Sequence, residues 1–347
     1  MRAVVEAIEW ARSQRLRVVT SVGMQTWELV LVAALRAGVP VDVYALCPPA
    51  ADRADVEAGI RAAFGLTGTD RVILLDSVEG TGKRDGLARR DARVVAAADI
   101  LLPISVRPKG TMTATIARAA AGGTRLIETF TVPYSRRTAP LKFSLDPSRL
   151  SSVLMETTDT WLVHWTRTAN GPWPTETARS YYDALLDSDT YPRGGFQTLC
   201  NILATGRIAA SGRHMPARTP TVSFTGRPPH AFVPLMRWRA RYREMSFEPY
   251  GIGIARSCAA DYGIRPVVYH PAGAPDHEAF PAEAWLRQST GRITWWGDED
   301  EYRCVGDLDL RALPGDRLIA FCRTAGEARA LTARYGIPAI GFTDANE

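Results

Sequence analysis

Short β-branched runs alternate with longer amphipathic stretches over the first 128 residues of the chain. The pattern predicts strands over residues 17–21, 41–45, 71–75, 99–104 and 124–128. It predicts helices over residues 26–37, 51–64 and 111–121, and an arginine-rich helix that ends near residue 98. Strands that are apolar on both faces and separated by helices are typical of a doubly wound, mainly parallel sheet. We therefore predict a Rossmann-like α/β domain over residues 1–140.

The alternation stops after residue 128. Residues 129–158 lack sustained periodicity and contain three prolines, so residues 141–158 are predicted to form a connector that leaves the sheet. Four residues around it could close over a ligand of the first domain, although a solvated basic loop is the other interpretation: Tyr134, Arg136, Arg137 and Lys142.

A different pattern, rich in short strands, follows over residues 159–347. Apolar and polar side chains alternate over residues 159–167, which predicts a half-buried strand with His164 and Thr166 on the same face. Further strands are predicted within residues 220–228, 237–256, 264–270, 295–310 and 317–322. A helix is predicted over residues 325–335, and a short helix within residues 196–211 that Gly206 stops. We predict a strand-rich α+β second domain.

Length and composition agree with two domains. The 347 residues, 46% of them hydrophobic, are enough for two ordinary cores. The formal net charge of +5 arises from 39 arginines against three lysines, a ratio that a GC-rich genome explains better than phosphate binding. Charge alone is therefore weak evidence for nucleic acid as a partner.

Cysteine spacing and hydropathy indicate the compartment. The five cysteines are spread singly, without the C-x2-C spacing of structural zinc, and are predicted to be buried free thiols. The longest apolar run, residues 29–35, is far shorter than the ~20 residues that span a bilayer. Glu6 and Glu9 follow Met1 where a signal peptide would be apolar. We expect a cytosolic protein without a metal or a membrane partner.

Three glycine-bearing loops of the first domain lie where parallel sheets bind ligands, beyond the carboxyl ends of strands. They cover residues 21–28, 76–86 and 105–113. Free amides at a helix start favour an anion, which makes residues 110 and 111 candidates. The candidate ligand residues are Gly23, Thr26, Lys83, Arg93, Arg107, Lys109, Gly110 and Thr111. The alternative is that each glycine only ends a helix or a turn.

The first domain has neither a Walker A motif nor a G-x-G-x-x-G fingerprint. Residues 89–112, an arginine-bearing helix followed by a strand and a Gly-Thr helix start, resemble the LOG and DprA-like group of nucleotide-binding domains, often called SLOG. The matching turn of that group reads closer to P-G-G-x-G-T, whereas this chain has R-P-K-G-T at residues 107–111. The resemblance implies binding of a nucleotide-like molecule. A nucleotide N-glycosidase is an alternative, but Thr113 and Thr115 stand where a glutamate would be needed.

The order of elements in the second domain carries another resemblance. A strand with a histidine and a threonine, a T-L-x-x-I-L-x-x-G-x-I helix, a V-S-F-T strand and a late E-Y-R strand resemble the ADP-ribosyltransferase fold. Residues 222–225, 248–254 and 263–269 also resemble AbiGi-type abortive-infection proteins. The similarity covers about residues 159–345.

This resemblance implies roles for individual residues. His164 would hold the NAD ribose, Tyr250 would stack on nicotinamide and Glu301 would be catalytic, with Glu299 in reserve. A carboxylate near the 2′-hydroxyl would stabilise the oxocarbenium-like state that forms as the nicotinamide bond breaks. The cofactor-binding candidates, whose arginines suit a pyrophosphate, are Thr166, Arg167, Thr225, Arg227 and Arg256. The acidic run around Glu301 has a solvated turn as its alternative, and Trp295 and Trp296 are either core or base-stacking residues.

The two resemblances together imply an NAD-consuming enzyme, an ADP-ribosyltransferase or an NAD glycohydrolase, with a nucleotide-sensing first domain. A phage-defence or toxin-type role and a nucleic-acid or protein acceptor follow from the resemblance alone. The basic aromatic residues 237–243 suit phosphate contact and base stacking, or form the solvated face of a helix. The other hypothesis is a non-catalytic nucleotide sensor whose degenerate second domain binds a partner. Oligomerisation stays open.

Overall fold

The computed structural model describes residues 1–77, 82–135, 145–158, 160–174, 176–213, 215, 218–239, 244–271, 281–291 and 296–344. Its contacts divide the chain into two units. The first unit contains Met1–Arg137 and Gly171–Pro192, and the second contains Thr138–Asn170 and Arg193–Glu347.

The helices are α1 Arg2–Ser13, α2 Gln25–Arg36, α3 Arg53–Phe64, α4 Lys83–Ala96, α5 Thr111–Ala121, α6 Ser152–Met155, α7 Ala178–Asp187, α8 Gly195–Thr205, α9 Pro229–Phe232 and α10 Ala325–Tyr335. The strands are β1 Val18–Ser21, β2 Val41–Cys47, β3 Arg71–Asp76, β4 Ile100–Leu101, β5 Arg125–Leu126, β6 Trp161–Trp165, β7 Arg207–Ile208, β8 Thr221–Thr225, β9 Trp238–Arg239, β10 Glu244–Met245, β11 Gly251–Ala255, β12 Arg265–Pro266, β13 Val268–His270, β14 Arg287–Ser289, β15 Glu301–Val305, β16 Leu308–Asp309, β17 Leu318–Thr324 and β18 Ala339–Thr343. Short 3-10 helices cover Pro147–Arg149, Val233–Leu235, Arg256–Tyr262, Pro281–Leu286, Trp296–Glu299, Leu310–Ala312 and Gly315–Arg317.

Parallel strands separated by helices form the first unit, as the sequence pattern predicts. Strands β1, β2 and β3 make a parallel three-stranded sheet in that order. The predicted single sheet of five strands is wrong, because β4 and β5 pair in a separate two-stranded parallel sheet. Both are only two residues long, and Pro103, which has no amide hydrogen, stops β4 from continuing.

Helix α7 belongs to the first unit although its sequence lies within the predicted second domain. Its residues Tyr181 and Tyr182, each 2% exposed, join the core made by α2, β2 and their neighbours. Arg36 on α2 also forms an ion pair with Asp187 at 2.6 Å. The prediction that residues 159–347 form one domain is therefore wrong for residues 171–192, because the aromatic face of this helix is buried in the first core.

A mixed seven-stranded sheet organises the second unit, which confirms a strand-rich domain. The strand order is β12-β15-β8-β6-β11-β17-β18, and the neighbours are antiparallel except for the parallel pair of β17 and β18. One face carries α8 and α10, with Leu199, Ile252 and Leu331 in its core. The other face carries α6 and α9, where the Trp165 and Phe232 rings stack at 5.5 Å between centroids.

The predicted connector is partly built into the second unit. Leu154 on α6 is fully buried, and the Ser151 amide donates to the Phe342 carbonyl of β18 at 2.8 Å. The prediction that residues 141–158 leave the sheet is therefore wrong for their described part, because α6 packs on the sheet through Leu154.

The cysteines are free thiols; Cys47, Cys304 and Cys322 are buried, whereas Cys200 and Cys258 are partly exposed, contrary to the prediction for those two. No helix in the described part of the chain is long and apolar enough to cross a membrane.

Candidate functional site

The end of β8 and the start of β15 bring four predicted site residues together. Thr225 lies directly opposite Glu301 in the antiparallel register. The Thr225 hydroxyl donates to the Glu299 carbonyl and accepts the Arg227 amide at 3.1 Å. Thr225–Arg227 and Asp298–Arg303, together with the side chains that contact them, are called the β8–β15 site below.

Glu301 is held by Arg303 in a two-pronged ion pair. The Arg303 Nε lies 2.8 Å from Glu301 Oε1, and Nη2 lies 2.7 Å from Oε2. Arg303 is 3% exposed, and its other donors bond to the Trp285 carbonyl at 2.8 Å and to Gln288 Oε1 at 2.7 Å. A guanidinium that is bonded on all sides holds its carboxylate in one orientation. The Glu301 carboxylate is therefore pre-positioned.

Glu299 has a different environment from its neighbour. Burial, and then the negative charge of Glu301, raise the pKa of Glu299 to about 7 against the opposing effect of Arg239 and other arginines. The Arg239 guanidinium lies 5.3 Å from the centre of the Trp296 ring, a cation–π distance. The β8–β15 site thus contains one fixed carboxylate and one group that exchanges a proton near neutral pH.

Two predicted phosphate-binding arginines flank the same turn. Arg227 forms an ion pair with Asp298 at 3.0 Å. Arg256 donates to the Gly226 carbonyl at 2.7 Å and to the Tyr302 hydroxyl at 3.0 Å. The Arg227 side chain is 37% exposed and the Arg256 side chain is 33% exposed, so both can contact a ligand from solvent. Thr225, Arg227, Glu299 and Glu301 are the predicted residues that come together. Arg256 meets the same turn from the side of Tyr302, which alternates with Glu301 along β15 and lies on the opposite face.

His164 lies on the opposite face of the sheet from Glu301. The register pairs Val163 with Thr225, and Thr225 with Glu301, so these three side chains share one face. His164 follows Val163 and lies opposite Ile252, on the other face. The prediction that His164 and Glu301 surround one NAD is therefore wrong, because strand alternation separates them.

The contacts of His164 are structural. Its Nδ1 donates to the Ser223 carbonyl at 2.9 Å, and its ring meets Phe224 edge-on at 6.0 Å. Burial lowers the pKa of His164, which favours the neutral ring. The neutral imidazole thus joins strand β6 to strand β8.

Tyr250 also lies away from Glu301, in the core with α8 and α10. Its hydroxyl donates to Glu327 Oε1 at 3.0 Å, and its ring contacts Phe196 at 5.6 Å. Burial, and then the Glu327 carboxylate, raise the pKa of Tyr250 well above its usual value. A ring packed in this core is not placed to stack on a nicotinamide beside Glu301, so the predicted role of Tyr250 is wrong.

Thr166 and Arg167 continue from the His164 strand. The buried Thr166 hydroxyl lies 2.9 Å from the Gly195 carbonyl, and Arg167 forms an ion pair with Glu244 at 2.9 Å. Glu248, which sequence reasoning missed, accepts the Gly195 amide at 3.2 Å at the start of α8. These groups stabilise the end of β6 rather than join the β8–β15 site.

The described candidate ligand residues of the first unit lie at two turns and on helices α2 and α4. Gly23 has φ +94° and donates its amide to Glu28 Oε1 at 2.7 Å. Gly110 caps the start of α5, where Arg107, Lys109 and Thr111 are exposed. Thr26 is exposed in the first turn of α2, and Arg93 is exposed near the end of α4.

Sequence reasoning missed the most buried charge of this unit. Arg90 on α4 is 1% exposed, donates to the Val22 carbonyl and pairs with Asp91 at 2.6 Å. The sequence carried one signal: Arg90 lies four residues before the buried Val94, on the same face of the helix, whereas Arg89 is exposed.

Several candidates lie outside the described residues: Arg136, Arg137, Lys142, Trp295, residues 240–243 and the side chain of Lys83. The described part of residues 237–243 forms strand β9 with β10 rather than the helix considered above. Within the described ranges, no group of three or more His, Cys, Asp or Glu residues is placed to hold a metal ion. Comparison of the chain with protein-family models, curated proteins and solved structures found no match.

Proposed function

We propose that the protein consumes NAD, with the β8–β15 site of the second unit cleaving the bond between nicotinamide and ribose. The observation that carries the proposal is the Glu301 carboxylate, fixed by buried Arg303, beside a second carboxylate that exchanges a proton near neutral pH. In this proposal the first unit senses a nucleotide-like ligand.

The chemistry suits this pair of carboxylates. When the glycosidic bond breaks, its electron pair leaves with nicotinamide and positive charge develops on the ribose. A fixed negative charge at Glu301 stabilises that charge most at the transition state. Nicotinamide leaves neutral, whereas the attacking water or acceptor hydroxyl must lose a proton. Glu299, with a pKa near 7, takes this proton.

Arg227 supplies the complementary charge for the NAD pyrophosphate. Its amide donates to the hydroxyl of Thr225, which lies opposite Glu301. A guanidinium group binds two phosphate oxygens at once, so Arg227 can fix the dinucleotide while its ribose reaches the carboxylates. Arg256 bonds to Tyr302 on the other face of β15 and holds the Gly226 turn through the Gly226 carbonyl. Ligand binding would replace the present ion pair of Arg227 with Asp298.

The arrangement of elements also supports the proposal. The four elements on which the ADP-ribosyltransferase resemblance rests are β6, α8, β8 and β15, and the three strands are adjacent in one sheet. His164 and Tyr250 have structural roles in the proposed enzyme. Loss of cellular NAD would explain a toxin-type or phage-defence role.

Nicotinamide release from NAD by the purified full chain tests the proposal. We expect Glu301→Gln to reduce release by at least about a hundredfold, since removal of a transition-state charge contact has effects of this size. Glu283→Gln is the matched control, because Glu283 is an exposed carboxylate of the same unit that pairs with Arg265 at 2.8 Å. Circular dichroism would verify that both variants fold.

The proposal fails if the wild type releases no nicotinamide with or without nucleic-acid or protein acceptors. It also fails if Glu301→Gln and Glu283→Gln behave alike.

A second candidate function has one specific observation in its favour. His164 and Glu301 lie on opposite faces of the sheet, as expected for a degenerate transferase-like domain that binds a partner without catalysis. Nucleotide binding by the wild type without NAD consumption would favour this candidate.

A further inference from the structure

Glu28 joins the glycine turn of the first unit to helix α7. Its Oε1 accepts the Gly23 amide at 2.7 Å, and its Oε2 accepts the Tyr182 hydroxyl at 2.6 Å. Burial, and then the hydrogen bond to Glu28, raise the pKa of Tyr182 well above its usual value, so the phenol stays a donor. One carboxylate therefore contacts both the turn and the inserted helix.

The turn has the properties of an anion position. It leads from β1 into the twelve-residue helix α2, whose N-cap residue Met24 supplies no side-chain acceptor. The Ser21 hydroxyl at its start is fully buried and has no hydrogen-bond partner within the described residues. Buried Arg90 lies beside the turn and donates to the Val22 carbonyl. A negative group is thus favoured at the Gly23 amide, and the chain's own Glu28 provides it.

We propose that Glu28 occupies the position of an anionic, phosphoryl-bearing ligand, and that this ligand on binding displaces Glu28 and releases Tyr182. The proposal rests on the ligand-sensing role proposed for the first unit, and it adds the regulation. Glu28 is then an autoinhibitory group, and the hydrogen bond from Tyr182 to Glu28 is present only when no ligand occupies the turn.

The covalent connection of α7 to the second unit would transmit the effect of ligand binding. Residues 171–192 leave the second unit after Asn170 and return at Arg193. The Ala169 amide donates to the Arg193 carbonyl at 2.8 Å and closes the base of this excursion. Two residues further on, Gly195 at the start of α8 bonds to Thr166, the residue directly after β6. In this proposal, loss of the hydrogen bond between Tyr182 and Glu28 changes how firmly α7 is held, and this change alters the restraint on β6, which is the sheet neighbour of β8.

Inorganic pyrophosphate is the probe for the test, and its binding to the full chain is measured by calorimetry. We expect Glu28→Gln to bind it about tenfold more tightly, because the competing charge is gone. We expect Tyr182→Phe, which keeps the charge, to bind it about threefold more tightly, because Glu28 is held less firmly. Glu9→Gln on α1 controls for loss of a charge. Tyr181→Phe controls for loss of a hydroxyl, because Tyr181 Oη contacts Tyr191 Oη at 3.1 Å.

Hydrogen exchange measured by mass spectrometry provides the second readout. Pyrophosphate is expected to increase amide exchange in residues 178–187 and 193–205 of the wild type, and Tyr182→Phe is expected to show the increase without pyrophosphate. The proposal is overturned if pyrophosphate binds none of the proteins, if Tyr182→Phe matches Tyr181→Phe, or if binding leaves exchange in residues 193–205 unchanged. Neither readout involves NAD, so failure of the proposed catalysis and failure of this regulation are separate results.

Discussion

Two carboxylates only two residues apart have opposite surroundings at the β8–β15 site. Glu301 forms a two-pronged ion pair with Arg303 at hydrogen-bond distance. Glu299 is partly buried next to that pair and has its pKa raised to about 7. Because the environments separate the two groups, one can remain charged while the other transfers a proton, which is the usual division of labour between paired acids.

The raised pKa of Glu299 predicts a pH-dependent loss of stability. The ordinary pKa of a glutamate is 4.5, and the pKa of Glu299 in the folded protein is about 7. Between these two pH values the folded protein therefore binds more protons at Glu299 than the unfolded chain does. The free energy of unfolding of the wild type should therefore fall as the pH rises through this window and stay lower above it. Glu299→Gln lacks this contribution, and its advantage over the wild type should grow by on the order of 2 kcal/mol between pH 4.5 and 8.

Urea unfolding of both proteins at several pH values measures this difference. Glu283→Gln, at an exposed position, serves as the control for the loss of one carboxylate. A constant difference between Glu299→Gln and the wild type across the window would contradict the raised pKa.

Residue types and spacing predicted only part of the site. Alternation along a strand predicts that Glu299, Glu301 and Arg303 share one face. This is confirmed for Glu301 and Arg303, which belong to strand β15, but Glu299 ends a 3-10 helix before the strand begins. The grouping of His164 with Glu301 fails, because face assignment across strands depends on a register that one sequence does not contain. Arg303 has no catalytic signature of its own, since its role depends on acceptors at residues 285–288.

At the scale of elements, local patterns predicted helices better than sheet partners. Helices α5 and α10 begin and end at the predicted residues. Helix α10 starts with the Thr324–Glu327 capping box, a pattern that can be recognised in the sequence. The segment 264–270, predicted as one strand, forms β12 and β13, which pair with different partners. Such partners are distant in sequence, so local periodicity cannot reveal the break.

Gly341 on β18 shows how tightly that strand packs at the start of α10. A Cβ atom at residue 341 would lie 2.5 Å from the Ala325 nitrogen and 2.6 Å from the Thr324 carbonyl carbon, both backbone atoms. Gly341→Ala should therefore lower the free energy of unfolding by about 2–3 kcal/mol, since the backbone must move to admit the methyl group.

The matched control is Gly315→Ala, because nothing lies within 4 Å of a Cβ atom there. It should change the free energy of unfolding by less than about 0.5 kcal/mol. Equal unfolding midpoints for the two variants in guanidinium would show that β18 and α10 are not packed this closely.

At the scale of the whole molecule, two separate segments of the chain, Met1–Arg137 and Gly171–Pro192, form the first unit. Composition and length predicted two domains and a border near residue 140, and the first unit does contain Met1–Arg137. The return of residues 171–192 was not predicted, because an amphipathic helix reveals that it has an apolar face but not which core that face joins. The segment 171–192 links helix α7 of the first unit covalently to strand β6 of the second unit.

Because residues 171–192 belong to the first unit, we predict that this unit is incomplete without them. Tyr181 and Tyr182 are almost fully buried in its core, and burial of such side chains contributes about 1.5–3 kcal/mol each. A fragment of residues 1–137 should therefore be about 3–5 kcal/mol less stable than the same fragment followed by a flexible glycine-serine linker and residues 171–192. Urea unfolding followed by circular dichroism measures the difference.

A linked fragment with Tyr181→Ser and Tyr182→Ser is the control, and it should lose most of the gain in stability. Equal stability of the short and the linked fragments would mean that α7 is dispensable to this core.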